Sequence, residues 1–216
     1  MKRFLVMAVV AMMATMSAMA QFPENVKEVL KKCDEKMDYP SGMVIDMTLK
    51  VKVAILSMNG TLKVYSKGDK NFTVMTMKAM GKEISTEYGF DGQQEWDYEP
   101  ASSKKEKDSL IITKTTKPQN NDYDINMDYE KDYRTAKMKE KGLYYEIDFA
   151  NRINKDAPKK LTIKIAKDTY YLREIKMPAG SIGSVTMTVT KVTKGCSDNW
   201  FKLDMNRYKN AVVVRR

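Results

Sequence analysis

The residues best placed to do chemistry sit in one stretch, GFDGQQEWDYEP, residues 89–100, where Glu95, Asp97 and Glu99 alternate with Trp96 and Tyr98. Neighbouring carboxylates can divide acid and base work when their surroundings push their pKa values apart. Here, though, the spacing of two is the strand period, so the three acids point to one side and the two aromatics to the other. That arrangement reads as a wet face of acids behind an apolar face, not as a catalytic pair. The chain has no histidine, which removes the commonest general base and metal ligand near neutral pH. Neither a Gly-x-Ser-x-Gly elbow nor a Gly-rich phosphate loop is present. A binding protein is therefore expected rather than an enzyme, with no cofactor and no metal.

The elements around this stretch are legible from periodicity. Residues 23–37, PENVKEVLKKCDEKM, place Val26, Val29, Leu30, Cys33 and Met37 on one narrow stripe, which predicts an amphipathic helix ended by YPSG. From Gly42 the period changes to two: Met43, Ile45, Met47, Leu49, Val51, Val53 and Ile55 face one way, and Asp46, Thr48, Lys50 and Lys52 the other. Asn59-Gly60 predicts a hairpin turn, after which Leu62 and Val64 continue the pattern. Further strands are expected at residues 71–80, 83–90 and 94–98, joined by the turns KGDK, MGK and FDG into a meander. Residues 100–135 read as a long connection holding one strand and one short helix. Alternation resumes at Leu143, Tyr145, Ile147 and Phe149, then at Leu161, Ile163 and Ile165, with later strands at 170–177, 184–192, 200–205 and 210–214.

The first twenty residues have a basic start at Lys2 and Arg3, an uncharged apolar run from Phe4, and Ala18-Met19-Ala20. This is the pattern of a secretory signal cleaved after Ala20. No cysteine follows the cleavage point to carry a lipid anchor, so an exported, soluble, periplasmic protein is expected, with residues 21–216 as one domain. Removing the leader removes two of the 38 basic residues and none of the 28 acids, leaving a net charge of +8. Such a surface favours anionic partners, a membrane surface or an acidic protein. Nucleic acid is not expected, because the lysines are spread along the strands. Cys33 and Cys196 could form a disulfide in an oxidising compartment, stapling the helix to the last strands, or remain two buried thiols.

About ten strands with one apolar face cannot be covered by a single helix unless the sheet curls around that face. The expected fold is therefore mainly β, an unclosed antiparallel barrel with an N-terminal amphipathic helix and a small helical or irregular lid. Its apolar interior is expected to be lined by Met43, Ile45, Met47, Leu49 and Val51 from the first strand, and by Leu62, Val64, Phe72 and Tyr88 from the next three. Trp96, Tyr98, Leu143, Tyr145, Ile147 and Ile163 complete the expected lining. Aromatics and methionines among these residues favour an adaptable cavity.

GTLKVYSKGDKNFTV, then GFDGQQEWDYEP, then NWFKLDMNRYKNAVVV near the end together resemble the landmarks of the periplasmic lipoprotein carriers, the LolA-like family. The resemblance covers nearly all of the chain after the leader. It implies an unclosed antiparallel barrel under a helical lid that carries lipoprotein acyl chains or another lipid toward the outer membrane. It also implies an inner-membrane release complex and an outer-membrane acceptor as partners. The basic Arg-Pro pair of well-studied carriers is missing, with Lys67 nearest to its place, and residues 118–132 are polar where the family has further lid helices. A sensor of mislocalised lipoproteins uses the same fold, usually with a second domain for which residues 210–216 leave no room. A structural β-protein with a packed core and a protein partner is the third reading.

Overall fold

A computed structural model of the chain describes residues 22–79, 81–101, 103, 106–117 and 129–216. The expected leader and most of the expected lid segment lie outside the described residues. Helix α1, Glu24–Met37, follows Pro23, whose fixed φ and missing N–H suit a helix start. Its stripe of Val26, Val29, Leu30 and Cys33 is buried, and its Lys and Glu positions face outward.

Twelve strands among the described residues form one sheet. They are β1 (Met43–Val53), β2 (Leu56–Lys67), β3 (Lys70–Ala79), β4 (Lys82–Phe90), β5 (Gln94–Glu99), β6 (Ser109–Lys114), β7 (Tyr133–Lys141), β8 (Tyr144–Arg152), β9 (Leu161–Ala166), β10 (Leu172–Ala179), β11 (Gly183–Lys194) and β12 (Val212–Arg215). A one-turn helix α2, Tyr129–Asp132, precedes β7. The order across the sheet is β12-β6-β5-β4-β3-β2-β1-β11-β10-β9-β8-β7. All pairings are antiparallel except that of β12 beside β6. Edges β12 and β7 stay apart, so the barrel is unclosed. Its curl has local causes: Thr190 is an extra residue opposite the Asp46-Met47 step, and Arg173 one opposite the Ile165-Lys164 step. Such bulges bend a strand and increase its twist.

The structure revises several expectations. Strand β7 was not expected, because YRTAKMKEK carries few apolar residues, as suits an edge strand. Residues 200–205 were expected to be a strand, but the segment forms two 3-10 turns, Asp198–Phe201 and Met205–Tyr208. Their causes are local caps: Ser197 accepts a hydrogen bond from the Asn199 N–H and Asp204 one from the Asn206 N–H. Asn59-Gly60 is not a turn but lies inside β2, and the hairpin turns instead at Ala54-Ile55, with Ala54 at φ 51°. Gly60 is there for space, since a Cβ would stand 2.3 Å from the Thr76 carbonyl oxygen. Asp91-Gly92 does turn the chain, with Gly92 at φ 97° and Asp91 Oδ1 accepting from the Gln93 and Gln94 N–H groups at 2.8 and 2.9 Å.

The sheet buries apolar side chains on both faces. The inner face, toward α1, joins Phe22, Val26, Val29, Leu30 and Cys33 to residues of β1, β2 and β7 to β11. Across β2 to β6 the outer face carries a second cluster, with Tyr65, Phe72, Trp96, Leu110 and Ile112 under Phe201 and Tyr208 of the two 3-10 turns. Gly89 sits opposite Trp96 in the β4–β5 ladder, and the indole lies across its bare Cα.

Cys33 belongs to the inner cluster and Cys196 to the edge of the outer one, and both are free thiols. Of the two alternatives the structure has the unbonded one, with the two side chains on opposite sides of the sheet. Burial, followed by the charge of Asp34, pushes the Cys33 thiol up to about 12. Cys196 points its thiol at the Ser66 carbonyl and is half-buried.

Two outcomes follow. A Cβ at position 89 would lie 2.1 Å from the Trp96 ring, so Gly89→Ala is expected to cost about 2–3 kcal/mol through overpacking. Urea unfolding followed by tryptophan fluorescence checks this, and a variant as stable as the wild type contradicts it. In thiol titration without reductant, Cys196 should react in the native protein and Cys33 only after unfolding, because only the thiolate is nucleophilic. Recovery of a disulfide-linked Cys33–Cys196 peptide would overturn the assignment.

Candidate functional site

The candidate site is the inner face, and β1 is its spine. Alternation points Met43, Ile45, Met47 and Leu49 inward, where all four are buried, while Thr48 and Lys50 face outward. The ladders extend that face on both sides. Ile45 pairs with Val64 and Met47 with Leu62 on β2, and beyond them Leu62 pairs with Met75 on β3. On the other side Met47 pairs with Val189 and Leu49 with Met187 on β11, Met187 with Ile175 on β10, and Ile175 with Ile163 on β9. Ile163 pairs with Ile147 on β8.

Of the residues expected to line the interior, the structure brings ten together here: Met43, Ile45, Met47, Leu49, Val51, Leu62, Val64, Tyr145, Ile147 and Ile163. Tyr88 also faces inward, opposite Thr73, but stands outside that cluster and donates its hydroxyl to Glu95 at 3.1 Å. Leu143 is not part of the face: it sits at the β7–β8 turn, 76% exposed, because the strand starts one residue later. Phe72, Trp96 and Tyr98 are corrected to the outer face. The Glu87↔Tyr98 and Gly89↔Trp96 pairs set both aromatics opposite in direction to Tyr88, and Glu95 and Asp97 share the inward direction. Asp97 keeps solvent contact, and partial desolvation, then the charges of Glu99 and Glu95, raises its carboxyl above the usual range.

The outer aromatics have a partner that the sequence reading missed. Trp200 stacks on Tyr65 at 4.3 Å and on Phe72 at 6.0 Å, and the Arg207 guanidinium lies 5.2 Å over Phe72. Glu87 holds this strap, accepting from Arg207 at 2.7 Å and from the Tyr208 hydroxyl. Lys67 reaches Asp198 at 2.9 Å from the other side. The enclosed Trp96 N–H lies beside the Tyr208 hydroxyl without closing a hydrogen bond of standard geometry. The signal was visible: Val44, Tyr65 and Phe72 are apolar at positions of the opposite parity on adjacent strands, so β1 to β3 were marked for burial on both faces.

Under α1 the inner face is apolar and physically adaptable, the polar inward groups Thr73, Tyr88, Glu95 and Asp97 lying on β3 to β5 outside its apolar cluster. Met43, Met47 and Met187 are buried in it, with Met37, Met75, Met77, Met138 and Met177 packed half-buried around them. Unbranched thioethers repack around an irregular apolar guest at little cost. Tyr129 stacks on Phe149 at 4.7 Å, and burial raises its hydroxyl pKa far above the ordinary value. Tyr39 and Tyr171 share a hydroxyl hydrogen bond at the C-terminal end of α1, where Lys194 lies 4.8 Å over the Tyr39 ring and Lys32 lies 5.0 Å over Tyr170. Among the described residues, no three His, Cys, Asp or Glu side chains are grouped to hold a metal ion.

No family model and no curated protein matches the sequence. Solved structures do match by shape. An uncharacterized conserved protein from Thermus thermophilus superposes with a TM-score of 0.56 at 10% identity, over 89% of this chain and 100% of that one. A LolA superfamily protein from Nitrosomonas europaea is similar with a TM-score of 0.46 at 12% identity, over 82% of this chain and 97% of that one. A chain of the MucA/MucB complex of Pseudomonas aeruginosa gives 0.46 at 7% identity, over 83% of this chain and 61% of that one. With the Thermus protein, at 10% identity, the likeness is one of fold alone.

Proposed function

We propose that this protein is an exported, non-enzymatic carrier that shelters lipid acyl chains, those of lipoproteins first, against the inner face of its open sheet. The observation that carries the reading is the methionine-rich inner face, whose half-buried border of Met75, Met77, Met138 and Met177 surrounds a packed centre under α1. Burying a chain of about 15 methylenes is worth on the order of 12 kcal/mol, at about 0.8 kcal/mol for each CH₂. A gain of that size needs an enclosed apolar surface, and release then needs a receptor of comparable affinity, because no bond is made or broken. The LolA-like sequence landmarks support the same direction, from a release complex at the inner membrane, through the periplasm, to an acceptor at the outer membrane. The leader-like residues 1–20 supply the export.

Displacement of a fluorescent fatty acid tests the reading. The wild type should bind the probe, and Met47→Glu should lose it at least tenfold, since an unpaired charge in an apolar site either ionises at high cost or retains water. Thr48→Glu, one residue away on the exposed outer face, should bind as the wild type does. Because Met47 is buried, Met77→Glu at the half-buried border serves as a second variant, with circular dichroism confirming the fold. A wild type that binds no probe, or folded glutamate variants that bind equally well, would sink the carrier reading in favour of a packed structural core.

A further inference from the structure

Two hairpin tips meet at the end of the sheet opposite Tyr39. The β1–β2 turn carries Ile55 and the β10–β11 turn carries Ile182, and the Ala54 N–H donates to the Ile182 carbonyl oxygen at 3.3 Å. Ile55 is 97% exposed, Ile182 69% and Leu56 64%. Val53 beside them and Ile84 at the start of β4 are exposed too. Turns in water are ordinarily built from Gly, Pro, Asn, Asp and Ser, so adjacent turns tipped with aliphatic side chains mark a contact surface.

The two tip segments themselves carry charge of one sign; the nearby acid Glu83 is paired with Lys78 at 3.6 Å. Residues 49–60 and 175–190 contain no acid at all. Lys50 and Lys176 flank Thr186 across three strands, and Lys52 lies opposite Ser184, all on the outer face directly behind the tips. These three lysines are exposed and form no ion pair among the described residues. On the inner side, Val51, Met77, Met177 and Val185 continue the apolar surface from the tips into the core.

We infer that this end of the barrel docks on an anionic lipid bilayer, with Ile55, Leu56 and Ile182 entering the interface and Lys50, Lys52 and Lys176 pairing with lipid phosphates. Aliphatic tips take the depth of the acyl boundary while lysine stems keep their ammonium groups at the headgroups. A protruding apolar point set before a band of unpaired cations suits a laterally extended anionic surface better than the concave pocket of a protein. The docking itself stands on these residues alone; its use, setting the inner face against the bilayer where acyl chains leave or enter, rests on the carrier reading.

Flotation with vesicles of phosphatidylglycerol and phosphatidylcholine tests it, using the chain from Gln21, which holds the whole described fold. The wild type should float with the anionic vesicles, release as salt rises, and stay behind with pure phosphatidylcholine. Ile55→Asp with Ile182→Asp should reduce partition at least tenfold. Lys50→Glu, Lys52→Glu and Lys176→Glu together should reduce it on the order of a hundredfold, at roughly fivefold for each basic residue. Should the aspartates disturb folding, Ile55→Ser with Ile182→Ser makes the milder pair. Leu143→Asp, at an exposed turn at the opposite end of the sheet from Lys50, Lys52 and Lys176, should leave flotation unchanged. A wild type that never floats, tip variants that float like the wild type, or an equal loss in Leu143→Asp would overturn the inference. Fatty-acid displacement separates the two proposals: tip variants should keep it, and flotation without any displacement upholds the docking while ending the carrier reading.

Discussion

A sheet that is apolar on both faces must cover both, and this constraint governs the rest of the molecule. On the inner side the cover is the sheet's own curl plus α1, whose narrow stripe of Val26, Val29, Leu30 and Cys33 is enough only because bulges at Thr190 and Arg173 bend the strands around it. On the outer side the cover is the strap that carries Trp200, Phe201 and Tyr208 over Tyr65, Phe72 and Trp96. The two layers share strands: Val64 belongs to one core and Tyr65 to the other. Distortion of β2 is therefore felt on both sides, and the pins that hold the strap, Glu87 and Lys67, lie outside the inner face.

That division separates what must be rigid from what must adapt. The outer cluster is aromatic, stacked and tied by charge-assisted bonds from Arg207 and Lys67, which restrict its geometry. The inner face is aliphatic and rich in methionine, with tyrosines and lysines at one end and bare aliphatic tips at the other. A carrier needs this combination: a wall that keeps its curvature while the surface inside it rearranges around chains of different length.

Much of this was legible in the sequence, and the failures have physical causes. The helix, the β1 alternation and the Asp91-Gly92 turn follow from local rules, and the structure has them all. Asn59-Gly60 misled because its dipeptide signal is that of a turn, whereas the glycine is needed where β3 approaches closely. Trp96 and Tyr98 were correctly separated from Glu95 and Asp97, yet given the wrong side. Alternation fixes which residues share a face but says nothing of which face closes inward, and here a distant segment, Trp200 to Tyr208, decides it. The choice between bonded and free cysteines was open in the sequence for the same reason, since a separation along the chain carries no information about opposite sides of a sheet.

The central claim is that the inner face holds acyl chains in the exported protein, and the contents of that protein test it most directly. Protein purified from the periplasm without detergent would be extracted with organic solvent, and the extract examined by lipid mass spectrometry beside one from a Met47→Glu variant purified in the same way. The carrier reading expects acyl lipid in near-stoichiometric amount with the wild type and a large depletion with the variant. Wild-type protein that yields no lipid above the level of the variant would contradict it and leave the inner face as a packed core.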